Sequence, residues 1–148
     1  MDNTLQAALK AAFASEFAFY LKAHNFHWNV EGSDFVQFHE LFETIYSDVY
    51  GSIDSFAENI RKLDTYVPAS LLRLSRFSVL PENADEDTVL SARGMAQELL
   101  SDSSEIIEVL KAVFTMAETA GEHGLSNFIA DRQDAHSKYS WMLRAILR

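Results

Sequence analysis

No cysteine occurs anywhere in the chain, which excludes disulfides, thiolate metal sites and thiol catalysis, so any metal must be held by nitrogen and oxygen. Proline is confined to Pro68 and Pro81, and glycine is sparse at five residues. The long segments between these breakers are therefore free to be helical. Hydrophobic residues make up 48% of the chain, yet no uninterrupted apolar run approaches the roughly 20 residues of a membrane span. Met1-Asp2-Asn3-Thr4 has neither the basic segment nor the apolar run of a secretory signal. These absences predict a soluble, cytoplasmic protein with no membrane partner. Positive charge is also scarce: twelve Lys and Arg stand against twenty-two Asp and Glu, for a formal net charge of −10, and Arg61-Lys62 is the only adjacent basic pair. A nucleic-acid binder presents a basic patch or arm, so the charge argues against DNA as a partner. At 148 residues the chain is long enough for one domain, 1–148, with a core that needs no covalent staples.

What is present is helical patterning. A first segment, from about Asn3 to Asn29, carries Leu5, Leu9, Phe13, Phe17 and Tyr20 at helical spacing. Val30-Glu31-Gly32-Ser33 makes a turn, with Ser33 or Asp34 as N-cap of the next helix. That second helix, about Asp34 to Leu63, places Phe38, Phe42, Ile45, Val49, Ile53, Phe56, Ile60 and Leu63 at steps of three and four, a sustained core-facing stripe. A connection from Asp64 to Asp85 holds both prolines, and its middle, Ala69 to Phe77, predicts a short extra helix. A third long helix spans about Asp87 to Ala120 and stops at Gly121, and a fourth spans Glu122 to Leu147. Two short turns and one long connection predict an all-α four-helix bundle with a long crossover, an architecture associated with carboxylate-bound metal centres.

Five residues carry the chemistry: His27, His39, Glu43, Asp54 and Glu58. His39 with Glu43, and Asp54 with Glu58, are each four residues apart, so each pair shares a helix face and can grip one ion. Both pairs lie on the arc of the second helix that adjoins its core stripe. Glu43 and Asp54 are separated by roughly 16 Å along a straight helix, at about 1.5 Å of rise per residue, so one ion cannot touch both pairs. His27 precedes Gly32 by five residues and His39 follows it by seven, which sets the two imidazoles at similar height across the turn. A second copy of the helix, antiparallel about a two-fold axis near Asp48 and Val49, brings His39 and Glu43 of one chain opposite Asp54 and Glu58 of its partner. Tyr46 would then face Gly51, large against small. The spacing predicts a symmetric dimer with two equivalent metal sites. The bland alternative is a solvated polar flank with ordinary i,i+4 spacing. Two imidazoles and three carboxylates suit Fe(II), Mn(II) or Zn(II), and suit Ca(II) or Mg(II) poorly. The Glu-x-x-His repeat of an intrachain di-iron bundle is missing, because the residues three before His24, His27, His39, His123 and His136 are Leu21, His24, Val36, Ala120 and Gln133.

The run Asn25-Phe26-His27-Trp28-Asn29-Val30-Glu31-Gly32, followed by Phe35, His39-Glu40, Asp54 and Ala57-Glu58-Asn59-Ile60-Arg61, resembles the Dps family of mini-ferritins, and the resemblance extends to the Trp141-Met142-Leu143 run. It implies a ferritin-like bundle that assembles from two-fold dimers into a hollow dodecamer. It also implies ferroxidase activity: iron storage and relief of oxidative stress through oxidation of Fe(II) to Fe(III), with hydrogen peroxide preferred to dioxygen, at sites between subunits. By that similarity His27, His39, Asp54 and Glu58 take ligand positions, and Glu43 stands where the family usually has aspartate. Trp28 takes the position proposed in the family to quench oxidising equivalents, or serves as an interface aromatic. His24 offers an additional ligand or a hydrogen-bonded interface histidine. Acids near the start of the fourth helix line the family's iron-entry pores; Glu118, Glu122, Asn127 and Asp131 occupy that region, with Asn127 where an aspartate is common. Family members that bind DNA generally use a lysine-rich terminal extension, of which this sequence shows none. The rival readings are a DNA-binding nucleoid protector, a catalytically silent shell that holds zinc as a competitor for the same ligands, and a purely structural bundle.

Overall fold

The computed structural model describes residues 3–81 and 88–148. Its elements are α1 (Asn3–Asn29), α2 (Phe35–Lys62), α3 (Leu71–Phe77), α4 (Ala92–Thr119) and α5 (His123–Ile146). The four long helices form the bundle, and α3 is the extra helix in the crossover. None of the described helices is long and apolar enough to cross a membrane.

α1 and α2 make one antiparallel hairpin and α4 and α5 the other, with α1 also packing on α4 and on α3. The first hairpin is pinned at both ends. The Gln6 side-chain amide donates to the carbonyl of Leu63 at 2.7 Å, while His27 and His39 meet beside the turn. Between α2 and α5 the Tyr139 hydroxyl donates to Asp48, and the later Glu58 and Lys62 border the same depression as the earlier Gly124 and Leu125, so those helices run antiparallel as well. The long crossover is what this arrangement requires, since α2 and α4 then run in the same direction.

The core stripe read along α2 is borne out. Phe38, Phe42, Ile45, Val49, Phe56 and Ile60 are buried, and Ile53 and Leu63 are half-buried at its margin. Each large apolar side chain fully buried in this way contributes roughly 2 kcal/mol of transfer free energy. Along α1 the stripe departs from expectation. Leu5, Leu9 and Phe13 are buried, but Phe17 and Tyr20 are only half-buried, and Ala12, Phe19, Ala23 and Phe26 carry the core onward. Steps of four residues gain about 40° per turn on a helix of 3.6 residues, so Phe17 has rotated off the face on which Leu5 sits. The drift leaves Tyr20 on the flank nearest the paired histidines.

Helix ends follow local chemistry. Asp34 is the N-cap of α2 without a side-chain capping bond. Ser70 accepts from the backbone N–H of Arg73, and Ser91 from that of Gly94, so α3 begins at Leu71 and α4 at Ala92. The expected start of the third long helix, Asp87, lies outside the described residues. Thr88 to Ser91 are not helical, because Ser91 already supplies the cap. Residues 82–85 of the expected connection also fall outside. Gly121 adopts φ +75° and the N–H of Glu122 returns to the carbonyl of Ala117, a left-handed stop that any side chain would strain.

Candidate metal centre

His27 is delivered by the last turn of α1 and His39 by the second turn of α2, and the intervening turn folds the two rings face to face. Their centroids lie 3.7 Å apart with planes 16° from parallel. Each ring bonds the main chain of the other's residue: Nδ1 of His27 donates to the carbonyl of His39 at 2.9 Å, and Nδ1 of His39 donates to the carbonyl of His27 at 2.6 Å. A carbonyl only accepts, so both Nδ1 atoms must carry the proton in these bonds, and the lone pair of each neutral ring lies on Nε2. Such an orienting bond is what a metal-binding imidazole needs behind it.

Glu43 completes a group. Ligand atoms of His27, His39 and Glu43 lie within 4.8 Å of one another. Nε2 of His27 and Oε1 of Glu43 are 3.9 Å apart, too far for a hydrogen bond and suitable for a cation held between them. His27 is buried, His39 half-buried and Glu43 exposed, so the donors open from the edge of the core toward solvent. Phe35 stacks on the far side of His39 at 4.7 Å and limits the ring's rotation.

Asp54 and Glu58 sit further along α2, both exposed. They do not belong to the His27 cluster. Glu58 borders an open depression shared with Ser55, Asn59 and Lys62 of α2 and with Gly124, Leu125 and Phe128 of α5. One chain therefore presents an assembled nitrogen and oxygen cluster at one end of α2 and a separate pair of carboxylates at the other. Gly51 lies between them with nothing within 4 Å of where a Cβ would stand.

His24 does not join the cluster among the described residues. Its Nδ1 lies 2.9 Å from the hydroxyl of Tyr20, and its ring is stacked between Trp28 and Tyr46. Near the start of α5, Glu118, Glu122, Asn127 and Asp131 are all exposed, and Glu118 lies 2.9 Å from Nδ1 of His123. That hydrogen bond leads the causes that hold the Glu118 carboxyl below its usual range.

A second polar constellation escaped the sequence analysis. At the centre of the bundle, wholly buried Glu16 accepts from Arg132 Nε at 3.1 Å and lies 2.6 Å from Nε2 of His136. Ser103 meets Nδ1 of His136, Ser140 bonds Ser103, and Arg132 reaches the Tyr139 hydroxyl, which in turn bonds Asp48. Burial alone would raise the Glu16 pKa, but the charges and hydrogen bonds of His136 and Arg132 outweigh it and hold the carboxyl below its ordinary value. Carboxylate-bound bundles keep their intrachain metal among side chains of this kind. Here the Arg132 guanidinium supplies the positive charge instead. The available signal was Arg132 four residues before His136, together with one acid, Glu16, on an otherwise apolar stretch of α1.

Comparison with known proteins matches this geometry to a family. The ferritin-like domain model covers residues 6–148. General stress protein 20U of Bacillus subtilis is 30% identical over 147 residues, covering 99% of each chain. The DNA protection during starvation protein of Brevibacillus brevis is 30% identical, covering 99% of this chain and 97% of its own. Among solved structures, Dps from Bacillus brevis superposes with a TM-score of 0.90 at 28% identity over the full length of both chains. Dps from Vibrio cholerae, described as a member of a broad superfamily of ferritin-like diiron-carboxylate proteins, gives 0.90 at 28% identity over 97% of this chain and 89% of its own. With its hairpin pair, its crossover helix and its histidine cluster at the first turn, the chain belongs to the ferritin-like family and, within it, to the Dps mini-ferritins.

Proposed function

We propose that this protein oxidises Fe(II) at sites shared between two-fold-related subunits, with hydrogen peroxide as the preferred oxidant over dioxygen, and stores the ferric product as mineral inside a hollow dodecamer in the cytoplasm. The observation that carries the reading is the reciprocal pair of Nδ1 hydrogen bonds, which leaves the Nε2 lone pair of each imidazole uncommitted in a group whose ligand atoms, with that of Glu43, lie within 4.8 Å of one another. The diiron-carboxylate description of the Vibrio cholerae neighbour supports iron as the metal substrate.

In each site His27, His39 and Glu43 of one subunit face Asp54 and Glu58 of its partner. The neutral imidazoles retain Fe(II), and the carboxylates stabilise the added charge of Fe(III), lowering the potential of the couple. Two ferrous ions each lose one electron. Peroxide takes both electrons with two protons and leaves as two waters, so no hydroxyl radical escapes. Acidic side chains on the inner wall, part of a net charge of −10, then collect ferric ions for mineral growth.

The Brevibacillus relative is named for DNA protection. For this chain the net charge of −10 and the scattered basic residues argue against direct contact with DNA. Zinc accepts the same donors and is the competitor that an assay must separate from iron.

The test is anaerobic. Fe(II) is added to metal-free protein at two ions per site, then one peroxide per two irons, and near-ultraviolet ferric absorbance is followed beside a His39→Ala/Asp54→Ala control. Rapid, soluble ferric formation in the wild type alone is expected. Equal rates in both proteins would overturn the assignment of ligands, and stoichiometric zinc that blocks oxidation would favour the silent shell.

A further inference from the structure

Two acids are buried among the described residues, and each is held by a resident cation. Asp102 accepts from Lys22 Nζ at 2.7 Å, an ordinary tie between α4 and α1. Glu16 differs, because the groups around it are those a metal would use. Its Oε1 lies 2.6 Å from Nε2 of His136, and its Oε2 lies 3.1 Å from Nε of Arg132. Behind the imidazole, Ser103 Oγ is 2.9 Å from Nδ1 and 3.1 Å from the carbonyl of His136, and Ser140 donates to it at 3.1 Å. A carboxylate only accepts, so Nε2 carries the proton while Glu16 is its partner. The other neutral tautomer is equally well provided for: Ser103 then accepts from Nδ1 and from Ser140 and donates to the carbonyl of His136. That tautomer frees the Nε2 lone pair beside a carboxylate oxygen, with the outer hydrogen bond that a metal-binding imidazole needs.

We infer that Glu16 and His136 are the core of a divalent metal site held shut by Arg132, whose guanidinium supplies the charge an ion would bring and so confines metal to the hairpin donors. What stands in the way of an ion is charge. One carboxylate and one guanidinium balance, and a divalent ion beside them would add two positive charges to a buried space. No further anion is at hand, since Asp48, the next acid along the network, is exposed and already accepts from Tyr139. The hairpin cluster is built the opposite way: Nε2 of His27 and Oε1 of Glu43 stand 3.9 Å apart, and among the described residues no ammonium or guanidinium is bonded to either. One fold thus holds two pairs of histidine and glutamate, and a single cation decides which of them takes metal. The inference rests on the function proposed above only in naming iron as the ion excluded. The exclusion itself applies to any divalent ion that favours nitrogen and oxygen, Co(II) and Zn(II) included.

The experiment uses the full-length chain carrying His39→Ala/Asp54→Ala, which silences the hairpin sites, with Co(II) as the probe. Bound Co(II) is measured by equilibrium dialysis, its ligand set by visible absorption, and folding by circular dichroism. Adding Arg132→Gln to this parent is expected to gain one Co(II) per chain, with a thermal midpoint that rises as Co(II) is added. Arg132→Lys, which keeps the charge, is expected to gain none, and Glu16→Gln combined with Arg132→Gln should remove the gained site. Arg132→Glu adds a carboxylate that makes the bound state neutral, so it should bind more tightly, and Co(II) should restore its helical signal where the metal-free protein is unfolded. Stoichiometric Co(II) in the parent that disappears with Glu16→Gln would overturn the inference, because the centre would then be open despite Arg132. So would Arg132→Gln and Arg132→Glu proteins that gain no Co(II), a gained site indifferent to Glu16, or an Arg132→Glu protein that Co(II) leaves unfolded. A wild type that forms no ferric product with peroxide would overturn the proposed function and leave this inference standing.

Discussion

Replacing His39 by alanine removes an imidazole donor and also the bond that fixes the main chain at His27, so the loss exceeds one ligand. Ferrous affinity should fall by about a hundredfold, the upper end of what losing even an outer-sphere partner costs. Anaerobic Fe(II) titration of His39→Ala measures this; affinity within a factor of a few of wild type would remove His39 from the site. Glu16 makes the opposite kind of contribution, to stability rather than chemistry. Glu16→Gln leaves the Arg132 guanidinium buried without its anion, which should cost about 3 kcal/mol in denaturant unfolding. The pKa of Glu16 is lower in the fold than its ordinary 4.5, so its contribution is fully present above that value and is lost as pH falls through the lower folded value. Unfolding curves of wild type and Glu16→Gln should therefore differ at neutral pH and converge only in strong acid; convergence already at neutral pH would mean the network stabilises nothing. The pairing of His27 with His39 was legible from their distances to Gly32. The network around Glu16 was not, since its members come from helices far apart in sequence and only packing shows which of many acids meets which cation.

At the level of single helices, legibility followed the strength of the apolar stripe. In α2 the alternation of three and four holds Phe38 through Ile60 on one face, and burial agrees. In α1 nearly every face is apolar, so spacing alone gave no reason to prefer Phe19 over Phe17 for the core. The start of α4 depended on a capping residue rather than on periodicity. Ser91→Ala should destabilise the protein by about 1 kcal/mol, by loss of the bond to the Gly94 N–H, while leaving iron loading unchanged. A denaturation midpoint equal to that of wild type would show that the crossover, not the cap, holds this end of the helix.

For the whole molecule, the decisive question is whether the carboxylates of Asp54 and Glu58 serve their own chain or its partner. Subunits carrying His39→Ala and subunits carrying Asp54→Ala should each be inactive alone. When they are unfolded together and reassembled, each mixed dimer regains one undamaged site of its two, because one half-site comes from each chain. Recovery of peroxide-linked ferric formation in the mixture checks this, and no recovery at all would mean that sites are not shared. The assembled histidine cluster and the separate carboxylate pair on one α2 are what the proposal starts from.

The sequence by itself determined the helices, the turn that pairs His27 with His39, and the family resemblance, because each depends on spacing within one or two neighbouring elements. Tertiary structure decided which nitrogen of each imidazole is free, which face of α1 is core, and that the bundle's centre is closed by Arg132, Glu16 and His136. The two histidine rings bond main-chain carbonyls across the hairpin, and the central ion pairs join α1 to α5. Such contacts depend on the rotation and height at which helices pack, and local periodicity leaves both undetermined.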